Sequence, residues 1–351
     1  MTRRKLLALL GIPSLLALGG GAYASAMRGR NPYYSGPLTE NFNGVRFTDG
    51  RPVTKGFREF LRWQWQGGRQ AWPESYAAHG ADKPPERVAR LRVSHIGHAS
   101  FLIQCAGQNI LIDPVLSERA SPVSFAGPRR VNPPGIAFVD MPRIDAVLLT
   151  HNHYDHMDMP ALEQLFERDR PRLIMPLGND AILRQRRTDW QPEAHDWGGK
   201  VALSEQVTVT LTPSYHWSAR GAMDRRMALW ASFLVKTPSG NIYHIGDTGY
   251  QDGAIFRALR AEHGAPRIAL LPIGAFEPRW FMGDNHMNPA EAVQVMLDCG
   301  AEQALGHHWG TFQLTNEAIE TPLVELSAAL EAKGIAPERF RPMRPGMVWE
   351  G

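Results

Sequence analysis

After a long irregular opening, apolar and polar positions fall into strand-like and helix-like stretches. Val93 to Ile96 and Phe101 to Cys105 read as strands, and Gly107-Gln108-Asn109 turns the second into Ile110-Leu111-Ile112, a hairpin by its alternation and turn residues. Ala146 to Thr150 is a continuous apolar run of strand length that stops at His151. Ala161 to Arg168 has helical periodicity, Leu173 to Met175 reads as strand, and Val207 to Leu211 is a strand by its β-branched content. Leu229 to Val235, Ile242 to Ile245, Ile268 to Ile273 and Gln303 to Leu305 follow as strands. Asn288 is placed to cap a helix that opens on Pro289, and Pro322 to Lys333 predicts another, closed by Gly334. Strand pairs separated by helices predict a layered α/β domain with its sheets packed between helices. From Arg28 to about Glu86 the pattern is irregular, with turn signals at Pro32, Gly36, Pro37, Gly44 and Gly50 and one aromatic-basic run, Phe57 to Trp72.

With 351 residues, 43% hydrophobic and 21% charged, the chain can bury a sizeable core, and collagen, coiled coil and wholesale disorder are excluded. The formal charge of +3 owes itself to Arg3, Arg4 and Lys5; beyond them basic and acidic residues balance. No net positive field remains to bind nucleic acid through its phosphates, so no nucleic-acid partner is expected. Cys105 and Cys299 are the two cysteines, too few for a disulfide framework, and both are expected as buried thiols.

The first 26 residues run from Arg3-Arg4-Lys5 through an apolar stretch, Leu6 to Leu18, to small residues containing Ala22-Tyr23-Ala24 and Ala24-Ser25-Ala26. That order is the grammar of a signal peptide, with resemblance to a twin-arginine signal, and the alternative is an uncleaved membrane anchor. The expectation is an exported protein, in the periplasm or on the outer face of the cytoplasmic membrane. Residues 27–86 are then an N-terminal extension packed on the core, and 87–351 the main domain.

The decisive segment is His151-Asn152-His153-Tyr154-Asp155-His156. Three imidazoles and a carboxylate within six residues, directly after a buried strand, have a metal ion as their common need. A His-x-His pair in a tight loop can converge on one ion while the following Asp-His reaches a second. One loop cannot fill two coordination spheres, so the other ligands are expected just past later strands: His216, Asp247 between Gly246 and Thr248-Gly249, and one of His307 and His308. Adjacent side chains in an extended segment point to opposite faces, so only one of that pair is expected as a ligand.

These residues resemble the metallo-β-lactamase superfamily, and within it the N-acylphosphatidylethanolamine-hydrolysing phospholipase D family, over about residues 30 to 350. Besides THNHYDHMD, the resemblance rests on HIGHASFLI (95–103), IDPVLSERASP (112–122), GPRR (127–130), the HW of SYHWSARG (214–221), GDTGY (246–250), PIGAFEPRWFM (272–282), HMNPAEAV (286–293) and HHWGTF (307–312). It implies an αββα sandwich and two zinc ions. His151, His153 and His216 would hold one ion, Asp155, His156 and His308 the other, and Asp247 would bridge them. His308 is preferred to His307 because the family's ligand directly precedes Trp-Gly-Thr-Phe. The same resemblance implies that Asp113 supports the histidine loop from behind, that His98 lines the floor of the site, and that His286 stands on the substrate side as a catalytic residue beside Asp247.

Metal ions of this kind lower the pKa of water and clamp a phosphoryl or carbonyl oxygen. The family resemblance implies phospholipase D-type cleavage of N-acylphosphatidylethanolamine, or a related phospholipid, to phosphatidic acid and an N-acylethanolamine. The general acid is left open among His286, His307 and a metal-bound water. A lipid substrate and a membrane surface are the expected partners, and Phe57 to Trp72 reads either as an interfacial segment or as a helix laying its aromatic side on the core. Arg279-Trp280-Phe281-Met282 is a second candidate rim. Two alternatives remain: hydrolysis of a soluble ester, lactone or other phosphodiester on the same fold, and a membrane-anchored zinc-binding scaffold without activity.

Overall fold

The computed structural model describes residues 29–351, so the reading of the leader lies outside the described residues. Helix α1 (Phe57–Gln66) precedes β1 (Arg92–Gly97), β2 (Ser100–Cys105), β3 (Gln108–Ile112), β4 (Ala146–Leu148), α2 (Met159–Asp169), β5 (Arg172–Pro176), α3 (Asn179–Arg186) and β6 (Glu193–His195). The chain continues through β7 (Lys200–Ala202), β8 (Thr208–Thr212), β9 (Ser232–Thr237), β10 (Gly240–His244), α4 (Ala254–His263), β11 (Ile268–Pro272) and α5 (Arg279–Met282). It ends with α6 (Pro289–Cys299), β12 (Gln303–His307), α7 (Thr321–Ala332), β13 (Phe340–Pro342) and β14 (Val348–Glu350).

Two seven-stranded sheets result, in the orders β14-β1-β2-β3-β4-β5-β6 and β13-β12-β11-β10-β9-β8-β7. One apolar layer fills the space between them, with Phe101, Ile103, Ile110, Ile112 and Leu148 meeting Val209, Leu211, Phe233, Ile242 and Leu270. A second layer, including Phe256, Val293, Met296 and Leu326, lies between the later sheet and α4, α6 and α7. A third, including Leu162, Leu165, Leu183 and Trp190, lies between the earlier sheet and α2 and α3. Each central strand is therefore buried on both faces, which is why its sequence is continuously apolar. The architecture is a single αββα domain.

Strands β3 to β6 run parallel to one another, and so do β10 to β13. The carboxyl ends of β1, β3 and β4 and of β8, β10 and β12 consequently gather along one edge of the sandwich.

Several boundaries differ from the expectation. Leu229 to Ala231 are not strand: Leu229 donates to Leu177 O and Ala231 to Thr150 O, so this stretch stitches the two halves together before β9 begins at Ser232. Helices α3 and α4 and the three-residue strands β6, β7, β13 and β14 have too short or too mixed a pattern to announce themselves. The aromatic-basic run does form a helix, α1, yet only Trp63 of it is buried; Phe57, Leu61 and Trp65 are exposed. The reading in which its aromatic side covers the core fails, because one indole is all that docks.

Before β1 the chain lies along the sandwich. Phe42 and Phe47 pack with Leu229 and Trp230, and Asn31 donates to Met227 O at 2.7 Å. Trp63 and Trp72 donate to Asn316 Oδ1 and Glu317 O.

Candidate metal centre

The loop after β4 is built from behind by one carboxylate. Asp113, just past β3, accepts from Thr150 N at 2.7 Å, Thr150 Oγ1 at 2.6 Å and His156 Nδ1 at 2.7 Å. Thr150 Oγ1 spends its proton on Asp113, so at 2.9 Å from His151 Nδ1 it can only accept. His151 and His156 are thereby fixed with a proton on Nδ1 and a lone pair on Nε2. His216 Nδ1 faces Asn285 O at 3.1 Å, which fixes the same tautomer there.

Those lone pairs converge. His151 Nε2 lies 2.9 Å and His216 Nε2 3.3 Å from His153 Nδ1. His156 Nε2 lies 3.6 Å from Asp155 Oδ2 and 3.3 Å from Asp247 Oδ2, while His308 Nε2 lies 3.5 Å and 3.1 Å from the same two carboxylates. Asp247 also stands 3.8 Å from His216 Nε2, which puts it between the two groups. Donor atoms of His151, His153 and His216 form one set, and those of His98, Asp155, His156 and His308 another. The ring nitrogens His156 Nε2 and His308 Nε2 and the carboxylate oxygen Asp247 Oδ1 are buried without a hydrogen-bond partner. Imidazole nitrogens aimed at one another and at two buried carboxylates call for positive charge at their centre, so the residues fit a divalent-metal centre.

Electrostatics agree. Burial pushes His151 and His216 well below the usual imidazole range and His153 to about 4, which keeps these rings neutral as ligands must be. Burial acts the same way on His308 and His156, but Asp247 and Asp155 outweigh it, holding His308 up at about 9 and His156 well above the imidazole range, so these two rings carry protons whose place a metal ion would take. Burial opposes ionisation of Asp247, yet the neighbouring His308 and His156 keep it well below the carboxylate range.

All seven proposed ligands, with Asp113, His98 and His286, therefore come together at one edge. His98 does more than line the floor: its Nε2 lies 2.9 Å from Asp155 Oδ2, and its ring is 3.9 Å from that of His308. Three residues of this centre, His98, Asp113 and His308, have positive φ, which turns each side chain out of its strand line into the site. The strand β12 runs to His307, two residues beyond the expected end, so His307 keeps the inward direction of the strand. It stacks on His244 at 5.2 Å and meets Phe101, inside the sandwich, and is no candidate for the general acid. The φ of 65° at His308 is what separates the two imidazoles.

His286 is buried, with Nδ1 3.9 Å from Asp247 Oδ2 and its ring 5.1 Å from His216. Arg279 holds its position, donating to His286 O at 2.8 Å and to both oxygens of Glu291. A cavity of about 640 Å³ opens from this point, with His153, Asp155, Asp247 and His286 at its base and Phe57, Phe60, Trp63, Phe281, Met282 and Leu314 on its walls. Sequence reading missed Arg220, which donates to Asn152 O and Met157 O and lies 4.0 Å over the Tyr154 ring, clamping the metal loop from outside. Its place beside His216-Trp217 was the only signal.

Residues 108–309 match the family model described as the β-lactamase superfamily domain. An N-acyl-phosphatidylethanolamine-hydrolyzing phospholipase D of Caenorhabditis elegans is 32% identical over 339 residues, 91% of this chain and 94% of that one. The mitochondrial N-acyl-phosphatidylethanolamine-hydrolyzing phospholipase D of Saccharomyces cerevisiae is 33% identical over 240 residues, 67% of this chain and 51% of that one. Among solved structures, a metallo hydrolase of Ignicoccus hospitalis superposes with a TM-score of 0.55 at 22% identity, covering 74% of this chain and 98% of that one.

Proposed function

The chain belongs to the metallo-β-lactamase superfamily, as a hydrolase similar to N-acylphosphatidylethanolamine-hydrolysing phospholipase D, and we propose that it is a zinc-dependent phosphodiesterase of the phospholipase D type. The reaction would split N-acylphosphatidylethanolamine, or a related phospholipid, into phosphatidic acid and an N-acylethanolamine. The observation that carries this reading is the cavity: a polar base of histidines and carboxylates beneath apolar walls, open beside an exposed aromatic helix. A soluble ester would need no such walls, whereas a diester lipid has a charged phosphate beside long apolar chains.

Two zinc ions, held by His151, His153 and His216 and by Asp155, His156 and His308 with Asp247 between them, would supply a nucleophile from water at neutral pH and neutralise the phosphoryl oxygens. Asp247 would orient the attacking water through its carboxylate. His286 presents a ring nitrogen to the leaving oxygen from the cavity side. Asp113 and Thr150 hold the tautomers of His151 and His156. Phe281 and Met282 keep bulk water from the phosphorus.

Phe57, Phe60, Leu61, Trp65 and Trp280 would dip into the head-group layer of a membrane, delivering the lipid to the cavity that Phe57 and Phe60 line. The basic, apolar and small-residue order of the first 26 residues supports export, and mass spectrometry of the mature N-terminus would distinguish cleavage from anchoring.

Hydrolysis in ¹⁸O water tests the reaction class. Attack at phosphorus puts the label in phosphatidic acid; label in a released fatty acid would overturn the phosphodiesterase reading while leaving the metal centre in place.

A further inference from the structure

One cation on the cavity wall has no counter-charge. Arg225 lines the catalytic cavity, and it also lines a smaller pocket of about 140 Å³ that shares Lys55 and Asn285 with it. Its guanidinium lies 4.4 Å over the Trp217 ring, and Trp217 in turn meets the His153 ring at 4.5 Å. Arg225 is thus one indole away from the metal centre. Nη1 donates to Lys55 O at 2.6 Å, while Nε is buried without a partner. Among the described residues no carboxylate lies within ion-pair distance of it.

The neighbours make the surplus larger. Arg51 and Arg226 share Asp49, and Lys55 pairs with Asp284. Arg46 donates to Arg225 O from the other side. Burial, then Arg226 and Arg46, all press against the charge on Arg225. Two carboxylates therefore face five cations at this wall. A partly buried guanidinium stacked on an indole at a cavity wall, with no carboxylate beside it among the described residues, is an arrangement that recognises a phosphate or carboxylate.

We propose that Arg225, stacked on Trp217, is an oxyanion subsite that takes a second anionic group, carried by the head group of the lipid whose phosphodiester sits at the metal centre. The inference deepens the phosphodiesterase reading and rests on it. It makes the preferred substrate a diester lipid with a carboxylate or second phosphate beyond the scissile bond, in place of a head group that ends neutral.

N-acylphosphatidylserine and N-acylphosphatidylethanolamine differ by one carboxylate and make a matched pair, presented to the metal-loaded protein in nonionic micelles. The native chain should favour the serine lipid about tenfold in kcat/KM, mainly through KM, the size of effect a charge-assisted hydrogen bond gives. Arg225→Gln should bring the ratio close to one, and Arg225→Lys should leave it between the two, with metal content and melting temperature unchanged in both. An equal ratio in the native chain and in Arg225→Gln overturns the subsite. A ratio that follows phosphatidylglycerol doped into the micelle, or activation by free inorganic phosphate that depends on Arg225, also overturns it, because the anion then comes from the surface or from solution. Should neither lipid be cleaved, equilibrium binding to the two kinds of micelle decides. Preference for the serine lipid that is lost in Arg225→Gln upholds the subsite while the reaction reading falls, and the absence of any preference removes both.

Discussion

Asp113 orders the metal loop without standing among the proposed ligands. Its carboxylate sets the tautomers of two imidazoles and ties Thr150 in place, and all three of its contacts are fully buried. Asp113→Asn keeps the shape but turns an N–H donor toward either Thr150 or His156, each of which already donates. Metal affinity or activity should fall by about 10- to 100-fold with the fold retained, the range expected for groups that orient ligands. Chelator competition with circular dichroism checks this, and unchanged affinity would remove Asp113 from the site. At the same scale, burial pushes the thiols of Cys105 and Cys299 up to about 12. A group whose folded pKa is raised loses its proton less readily, so neither thiol should react with a disulfide reagent at pH 8 until the chain is denatured. Prompt labelling of two thiols in the native protein would contradict the burial of both.

At the scale of elements, α1 is attached by little. Trp63 stacks on Phe281 at 5.0 Å and donates to Asn316 Oδ1 at 3.0 Å, Asn316 Nδ2 returns a bond to Gly67 O, Phe60 meets Trp63 at the cavity wall, and Phe57 and Trp65 are exposed. A helix with one buried residue belongs to the low end of local stability and opens before the sandwich does. Trp63→Ala should therefore abolish hydrogen-exchange protection of residues 57–66 with little change in the global melting temperature. Trp65 is 89% exposed, so Trp65→Ala should stay within about 0.5 kcal/mol of native stability while weakening binding to lipid vesicles. Vesicle binding unaffected by the loss of Trp65 would leave α1 as a wall of the cavity and nothing more. The chain left two readings of Phe57 to Trp72 open, an interfacial segment or a helix laid on the core, and only the packing of Trp63 against the loop at Asn316 decides which side faces out.

For the whole molecule, the ligand clusters join the two sheets. His151, His153, Asp155 and His156 follow β4 of the first sheet, whereas His216, Asp247 and His308 follow β8, β10 and β12 of the second. Metal bound there stabilises the folded state by mass action, about 4 kcal/mol when free metal exceeds the dissociation constant a thousandfold. Chelation should lower the melting temperature by several degrees, and restoring zinc should reverse the loss. A melting curve indifferent to chelation would mean that the clustered histidines hold no ion.

The sequence by itself determined the strands and the loop. Runs such as Ala146 to Thr150 are apolar because both faces of each strand are buried, so the layered fold and its central strands could be read from periodicity, though not the residue at which each strand ends. The density of His151, His153, Asp155 and His156 leaves only a metal as a common partner, so that part of the centre was legible too. Tertiary structure decided the rest, because it depends on direction and on distant contacts. A positive φ, which no side-chain pattern announces, sends His308 into the site while His307 stays in the core. The approach of the β1–β2 turn sets His98 against Asp155 across 57 residues of chain. Arg225 in sequence is one of several arginines near a tryptophan. Only the folding of its segment back onto Trp217 leaves it at the cavity wall without a counter-charge, since pairing between charges is settled by which carboxylates the fold brings near.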